Sequence, residues 1–253
     1  MRLFAWGQSD VGRRRDHNED SLLIAPELQL FAVADGMGGH QAGERASRMA
    51  VEQLAEEIRR SQSGDSTAPI GPNGDAVSLQ SAATRAGMAI FDAGQADPTL
   101  AGMGTTLTAV MIHDDHAAIA HVGDSRCYLY RGTQCQLMTE DHSWVNEQLR
   151  AGFLTQEQAR DSKFRHVITR SVGYERIVRV DSRSVEVSAG DCLLLCTDGL
   201  SNYIDGQEIA RLMTAGFYRD VPATLIGLAN DRGGEDNISV VLIYLANDDG
   251  TGG

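Results

Sequence analysis

The chain has 253 residues, which suits one large domain or two small ones, and its 42% apolar content is enough for a sizeable core. A net charge of −13 sets the surface against nucleic acid phosphates, and no stretch approaches the roughly 20 apolar residues of a membrane span. The opening MRLFAWGQSD turns polar too soon for a signal peptide, so a cytoplasmic protein with no membrane or nucleic acid partner is expected. The four cysteines lack framework spacing, and Cys192 and Cys196 share one face of an apolar strand, as buried thiols of a reducing compartment do. The acidic excess is either a solvated surface or a set of aspartates gathered in a cleft around cations. The positions of the aspartates decide between these.

Trp6–Gly12 leads into RRRDHNED, Arg13 to Asp20, and then into a strand over Ser21–Ala25. The basic cluster reads as a solvated turn or as a phosphate clamp beside a metal ligand, since the planar fork of Arg15 suits phosphate oxygens. Parity along an extended segment does not place Arg15 against Asp20, because their odd offset puts them on opposite faces. Phe31–His40 reads FAVADGMGGH, a buried strand that stops at Asp35 and Gly36. Gly36, Gly38 and Gly39 clear space for a phosphate or a hydrated cation to approach the main chain.

A helix is expected over Gly43–Arg60, where Ala46, Ala50, Leu54 and Ile58 recur every four residues. Ser61–Asp75 reads as a loop, and Ala76–Ala93 as a second helix through Leu79, Ala83, Ala86 and Ile90. Two such helices cover one face of a sheet. Met103–His113, His116–Val122 and Arg126–Arg131 read as a meander joined by Asp114-Asp115 and Gly123-Asp124-Ser125, with Gln136–Met138 as a further short strand. Ser143–Ala151 reads as a helix capped by Ser143, and Thr155 with Gln158 is a capping box. Ser143 to Gly173 interrupts two strand blocks and reads as an inserted, mobile lobe. Ile177–Val187 alternates as a half-exposed strand, and the apolar strand Cys192–Thr197 runs into a second Asp-Gly pair at Asp198. Helices follow over Gly206–Ala215, capped by Asp205, and Val221–Ala229, capped by Asp220. The last strand is Ile238–Leu245, entered through GGEDN, and residues 247–253 read as a frayed, flexible tail.

Asp20, Asp35, Asp124, Asp198 and Asp236 thus all adjoin apolar strands. Strand ends in a layered protein converge on one rim, where bare carboxylates repel one another by several kcal/mol. Divalent cations remove the conflict, and an all-oxygen set selects Mg²⁺, Mn²⁺ or Ca²⁺ over zinc. Two such cations sharing a hydroxide give a nucleophile for in-line attack on phosphorus, with Arg15 holding the nonbridging oxygens.

Taken in order, R-x-x-N-E-D at Arg15–Asp20, the Phe31–His40 stretch, G-T-T at Gly104–Thr106, V-G-D-S-R at Val122–Arg126, T-D-G at Thr197–Gly199 and G-G-x-D-N-I at Gly233–Ile238 span nearly the whole chain. The sequence resembles the metal-dependent serine/threonine protein phosphatases, the PPM family (type 2C), in their compact bacterial form. The resemblance implies an α+β fold, a four-layer α/β/β/α sandwich of two mostly antiparallel sheets flanked by helix pairs. It implies one such domain over residues 1–246, with 143–173 as a flap beside the cleft.

It further implies that Asp35 bridges two Mn²⁺ or Mg²⁺ ions and that the Gly36 carbonyl contacts one of them, partly through water. Asp198 and Asp236 hold the first ion, Asp20 lies near the second, Glu19 and Asn237 stand in the outer shell, and Asp124 matches a third, weaker site. Arg15 matches the phosphate-binding arginine, and His166 and Arg170 of the flap are placed to touch substrate. Many eukaryotic members carry histidine directly after the Asp-Gly pair as the proposed general acid. Here that residue is Met37, which leaves His40 as the candidate acid. Substrates on this resemblance are phosphorylated proteins, with a cognate serine/threonine kinase as counterpart and a monomeric enzyme. The alternatives are a non-catalytic phosphoprotein-binding module of the same fold, or another two-metal phosphoester hydrolase.

Overall fold

Strand alternation decides how the layers stack. The computed structural model describes residues 1–65 and 71–247. Its strands are β1 (Arg2–Asp10), β2 (Asp20–Ala25), β3 (Leu30–Met37), β4 (Gly104–Thr105), β5 (Leu107–His113), β6 (His116–Val122), β7 (Arg126–Arg131), β8 (Gln134–Leu137), β9 (Asp181–Glu186), β10 (Cys192–Cys196) and β11 (Ile238–Ala246). Its α-helices are α1 (His40–Arg60), α2 (Pro72–Ala96), α3 (Trp144–Arg150), α4 (Gln156–Arg160), α5 (Asp198–Ser201), α6 (Gly206–Ala215) and α7 (Val221–Asp231). One antiparallel sheet runs β1-β11-β10-β7-β8, and the other runs β2-β3-β5-β6-β9 with β4 against the end of β3.

Within β3, Leu30, Ala32 and Ala34 pack with Ala46, Ala50, Leu54 and Ile58 of α1 and with Leu79 and Ala83 of α2. The small residues let these helices sit close to the sheet. Phe31 and Val33 point the other way and meet Leu193, Leu195, Val241 and Ile243 of the facing sheet. Cys192, Leu194 and Cys196 in turn face α6 and α7 through Ile209, Met213, Leu225 and Ala229. Period-2 alternation therefore gives each sheet two apolar faces, and the layers follow as α/β/β/α.

Several expectations from the sequence change. The meander does not continue past β6, because Gly123–Ser125 carries the chain from one sheet to the other and β7 pairs with β10. The N-terminal segment is a full strand, β1, paired along its length with β11. Its partly exposed residues hide the alternation that marks the other strands. The strand expected over Met103–His113 is interrupted at Thr106 into β4 and β5, which pair with β3 in one continuous register. The loop expected over Ser61–Asp75 is shorter: Ser61–Asp65 is a π-helical turn and α2 opens at Pro72, with residues 66–70 outside the described residues. Ser143 and Asp220 sit at helix starts without a side-chain cap bond, whereas Thr155 forms its capping box and Asp205 accepts from the Glu208 N–H. Of the expected tail, residues 248–253 lie outside the described residues.

Candidate metal centre

The two sheets bring their acids to one rim. Asp20 opens β2 directly across from Asp35 of β3. From the other sheet, Asp198 follows β10 as the first residue of α5, and Asp236 stands two residues before β11. Asp124 lies on the crossing between sheets. The G-T-T motif holds Asp35 in place. The Asp35 N–H donates to Thr106 Oγ1 at 2.9 Å, its carbonyl accepts from Thr105 Oγ1 and from the Thr106 N–H, and Thr106 Oγ1 meets Ser125 Oγ at 2.7 Å. Asn237 ties the opposite side: its amide donates to the Val11 and His17 carbonyls, and its Oδ1 accepts from the Glu19 N–H at 2.8 Å.

Gly36 is glycine for a different reason from the one the sequence suggested. Its N–H donates to the Glu19 carbonyl, and a Cβ there would collide with the carbonyls of Gly43 and Glu19. The close approach is therefore made by the protein's own backbone, locking the start of α1 against the rim.

Burial raises the carboxyl of Asp35 well above its usual range, and repulsion from Asp20, Asp198, Asp124 and Asp236 adds to it. Asp20 is pushed up to about 7, mainly by burial and then by Asp198 and Asp236, against hydrogen bonds from Ser239 and Thr197. Burial likewise raises Asp124 and Asp198, each with a neighbouring aspartate adding to the effect. Three oxygens, Asp20 Oδ1, Asp124 Oδ1 and Asp198 Oδ1, are buried with no hydrogen-bond partner. A buried carboxylate oxygen without a partner is costly, and hard oxygen-seeking cations suit this donor set.

Three other oxygens of the rim accept hydrogen bonds from protein groups. Asp20 Oδ2 accepts from Thr197 Oγ1, Asp198 Oδ2 from Asn202, and Asp236 Oδ2 from Arg15 Nη2 at 2.8 Å. Among the described residues, no three His, Cys, Asp or Glu side chains stand in a metal-enclosing arrangement as they are. Asp20, Asp198 and Asp236 each have one oxygen held by these hydrogen bonds. The unpartnered oxygens fit cations even though the cage is not closed.

Arg15 thus reaches the rim beside Asp236, from a half-exposed position. His166 lines a cleft of about 900 Å³ together with Asp124, Asp198, Asp236 and Arg165. Arg165 Nε donates to its Nε2 at 2.8 Å. Arg170 does not line the cleft; it is ion-paired to Asp181 at 2.9 Å. His40 opens α1, and its side chain lies outside what is described. Glu19 runs alongside Gly43. Sequence reasoning missed the Arg126–Asp141 ion pair at 2.6 Å beside Asp124, although the arginine stands inside V-G-D-S-R. No helix among the described residues is long and apolar enough to cross a membrane.

Comparison with known proteins agrees with this geometry. The sequence model of the family described as protein phosphatase 2C matches residues 11–233. The chain is 37% identical over 245 residues to protein phosphatase PhpP of Streptococcus pneumoniae, covering 95% of this chain and 97% of the relative. It is 36% identical over 240 residues to serine/threonine phosphatase stp of Listeria innocua, with 93% of each covered. The fold superposes with a TM-score of 0.86 on the Mycobacterium tuberculosis serine/threonine phosphatase PstP/Ppp, at 34% identity and 97% and 99% coverage. A second structure, the catalytic domain of PstP in complex with 2 manganese ions, gives a TM-score of 0.82 at 34% identity, covering 97% of this chain and 99% of that one. The chain belongs to the protein phosphatase 2C family.

Proposed function

We propose that this protein is a metal-dependent phosphatase of phosphoserine and phosphothreonine in proteins. The observation that carries it is the meeting of buried, unpartnered oxygens from Asp20, Asp124 and Asp198, with a guanidinium beside Asp236 at their edge. A binding module of the same fold has no need of such a costly set. Asp35, Asp198 and Asp236 would hold one ion and Asp35 with Asp20 a second, with the Gly36 carbonyl toward one of the two, partly through water, and Glu19 and Asn237 behind them. Asp124 belongs to a third, weaker site. Mn²⁺ or Mg²⁺, when bound, supplies charge neutralisation and Lewis acidity that makes water a nucleophile near neutral pH.

The chain's own residues do the rest. Asp35 is fixed by Thr105 and Thr106 and sets the spacing of the site. Arg15 exchanges its Asp236 partner for the nonbridging phosphate oxygens and offsets charge that builds in the transition state. The cleft admits an extended phosphopeptide, with segment 143–173 of the single domain as its border and His166 on that border. His40 remains the candidate general acid. Substrates are phosphorylated proteins, with a cognate serine/threonine kinase as counterpart. The protein works as a monomer in the cytoplasm.

The test is release of phosphate from a phosphothreonine peptide with Mn²⁺, with EDTA, and with Asp236→Asn. Activity is expected only in the wild-type protein with metal. Activity that survives the chelator or the substitution overturns the mechanism, and turnover of a bis-ester without the peptide points to a different two-metal hydrolase.

A further inference from the structure

Outside the acid rim, the buried His142 ring has both of its nitrogens engaged. His142 is 4% exposed and stands at the residue before segment 143–173 departs. Its N–H donates to the Gly123 carbonyl at 2.7 Å, and its Nδ1 accepts from the Gly123 N–H at 3.1 Å. An amide donor on Nδ1 leaves the ring proton on Nε2, which donates to Asp181 Oδ2 at 3.2 Å. The other Asp181 oxygen accepts from Arg170, at the far end of the same segment. The His142 carbonyl accepts from the Thr169 N–H at 2.8 Å, and Ser143 bridges Ile168 just beyond. Two contacts therefore go to Gly123, directly before Asp124, one goes to Thr169 at the returning end of the segment, and one reaches Arg170 of that end through Asp181 of β9.

We propose that His142 is a positioning residue that links the cleft-bordering segment 143–173 to the placement of Asp124, so that cation binding at Asp124 and order in the segment reinforce each other. This rests on the metal reading proposed above. A ring that bonds only one side would be structural packing; bonds to both sides, through opposite nitrogens, make a mechanical tie. It also gives Arg170 a role: through Asp181 it anchors the segment's return and leaves substrate contact to others.

The ring's two ends can be cut separately. Asparagine keeps an acceptor near the Nδ1 position and loses the Nε2 donor, while glutamine keeps a donor near Nε2 and loses the Nδ1 acceptor. Hydrogen exchange of segment 143–173 is followed in the whole chain with and without Mn²⁺, beside calorimetric titration of Mn²⁺. Wild type is expected to show segment exchange slowed about five-fold or more by Mn²⁺. In Asp124→Asn the slowing is lost because the ion is lost. In His142→Asn the ion still binds, weaker by no more than the factor by which it slows exchange in wild type, and yet the slowing is lost. In His142→Gln the weakest Mn²⁺ site loses affinity. Arg170→Gln cuts the tie on the half-exposed side, without touching the buried ring, and is expected to copy His142→Asn. Slowing retained in both His142→Asn and Arg170→Gln overturns the proposal, as does wild-type exchange that ignores bound Mn²⁺. A wild-type protein that binds no Mn²⁺ overturns the metal reading along with it.

Discussion

Asp20→Asn is expected to act in opposite directions with and without cations. Burial and the nearby Asp198 and Asp236 hold the Asp20 carboxyl at about 7 in the fold, against 3.8 for a free side chain. A carboxyl raised in this way stabilises the fold fully below 3.8, and that stability is lost as pH rises through about 7. At pH 8 the metal-free protein therefore carries an ionisation cost of roughly 4 kcal/mol at this one residue, and at pH 5 less than half of it. Asparagine removes the charge and keeps an acceptor for Thr197. Its amide falls where the carboxylate oxygen had no partner, which costs about 1–3 kcal/mol. The net gain in EDTA at pH 8 is about 2 kcal/mol, or about 4–8 °C in Tm for a chain of this size. With Mn²⁺ the sign is expected to reverse, because on the proposed metal reading a ligand is gone: wild type gains about 2.7 kcal/mol at a hundredfold excess over Kd, and the variant gains less. Thermal scans in EDTA and in Mn²⁺, at pH 5 and pH 8, read all four values. A variant less stable than wild type in EDTA at pH 8, or a difference that ignores pH, refutes the reasoning.

Three further outcomes are expected. Thr106→Val keeps the shape but strips the oxygen that accepts from the Asp35 N–H and meets Ser125, so urea unfolding should show a loss of about 2–4 kcal/mol; a loss under about 0.5 kcal/mol contradicts the clamp. Arg15→Gln should lower kcat/KM on a phosphopeptide by about a hundredfold, while Tm moves by no more than about 2 °C, because a half-exposed ion pair contributes little; a stability loss with intact kcat/KM reverses the assignment. Burial and the neighbouring His142 hold the His121 ring down to about 4, below its ordinary 6.5. The stability it contributes is present above 6.5 and is lost as pH falls toward 4, by about 2 kcal/mol at pH 5. In Mn²⁺-loaded protein, His121→Gln should narrow the difference between urea midpoints at pH 7 and pH 5, and an equal difference in the two proteins counts against a neutral buried ring.

The layers were readable because alternation and helical period are local. Ala46, Ala50, Leu54 and Ile58 mark a buried helix face with no knowledge of the sheet beneath. The strand-end aspartates were readable for the same reason, since each is announced by the apolar run beside it. What escaped was non-local. The turn Gly123–Ser125 looks like any hairpin turn, and only the pairing of β7 with β10 reveals that it changes sheets. β1 escaped because its residues are half-exposed. Gly36 was correctly marked as a point of close approach, but its neighbour is Gly43, and no spacing rule identifies which backbone fills the space. Arg170 was expected near substrate only through the family resemblance of its flap segment, and in the structure it pairs with Asp181.

The passage of the chain from β6 to β7 has a consequence for engineering. Asp20 and Asp35 ride on one slab of the sandwich and Asp198 and Asp236 on the other, with Asp124 on one chain crossing between them and Arg15 on another, from β1 to β2. On the proposed metal reading, the gap between the two pairs is a vernier reading of how Phe31, Val33, Leu195 and Val241 interlock beneath it. Trimming one of those side chains should retune metal preference without altering a single ligand, which makes the greasy seam, and not the acidic mouth, the dial to turn.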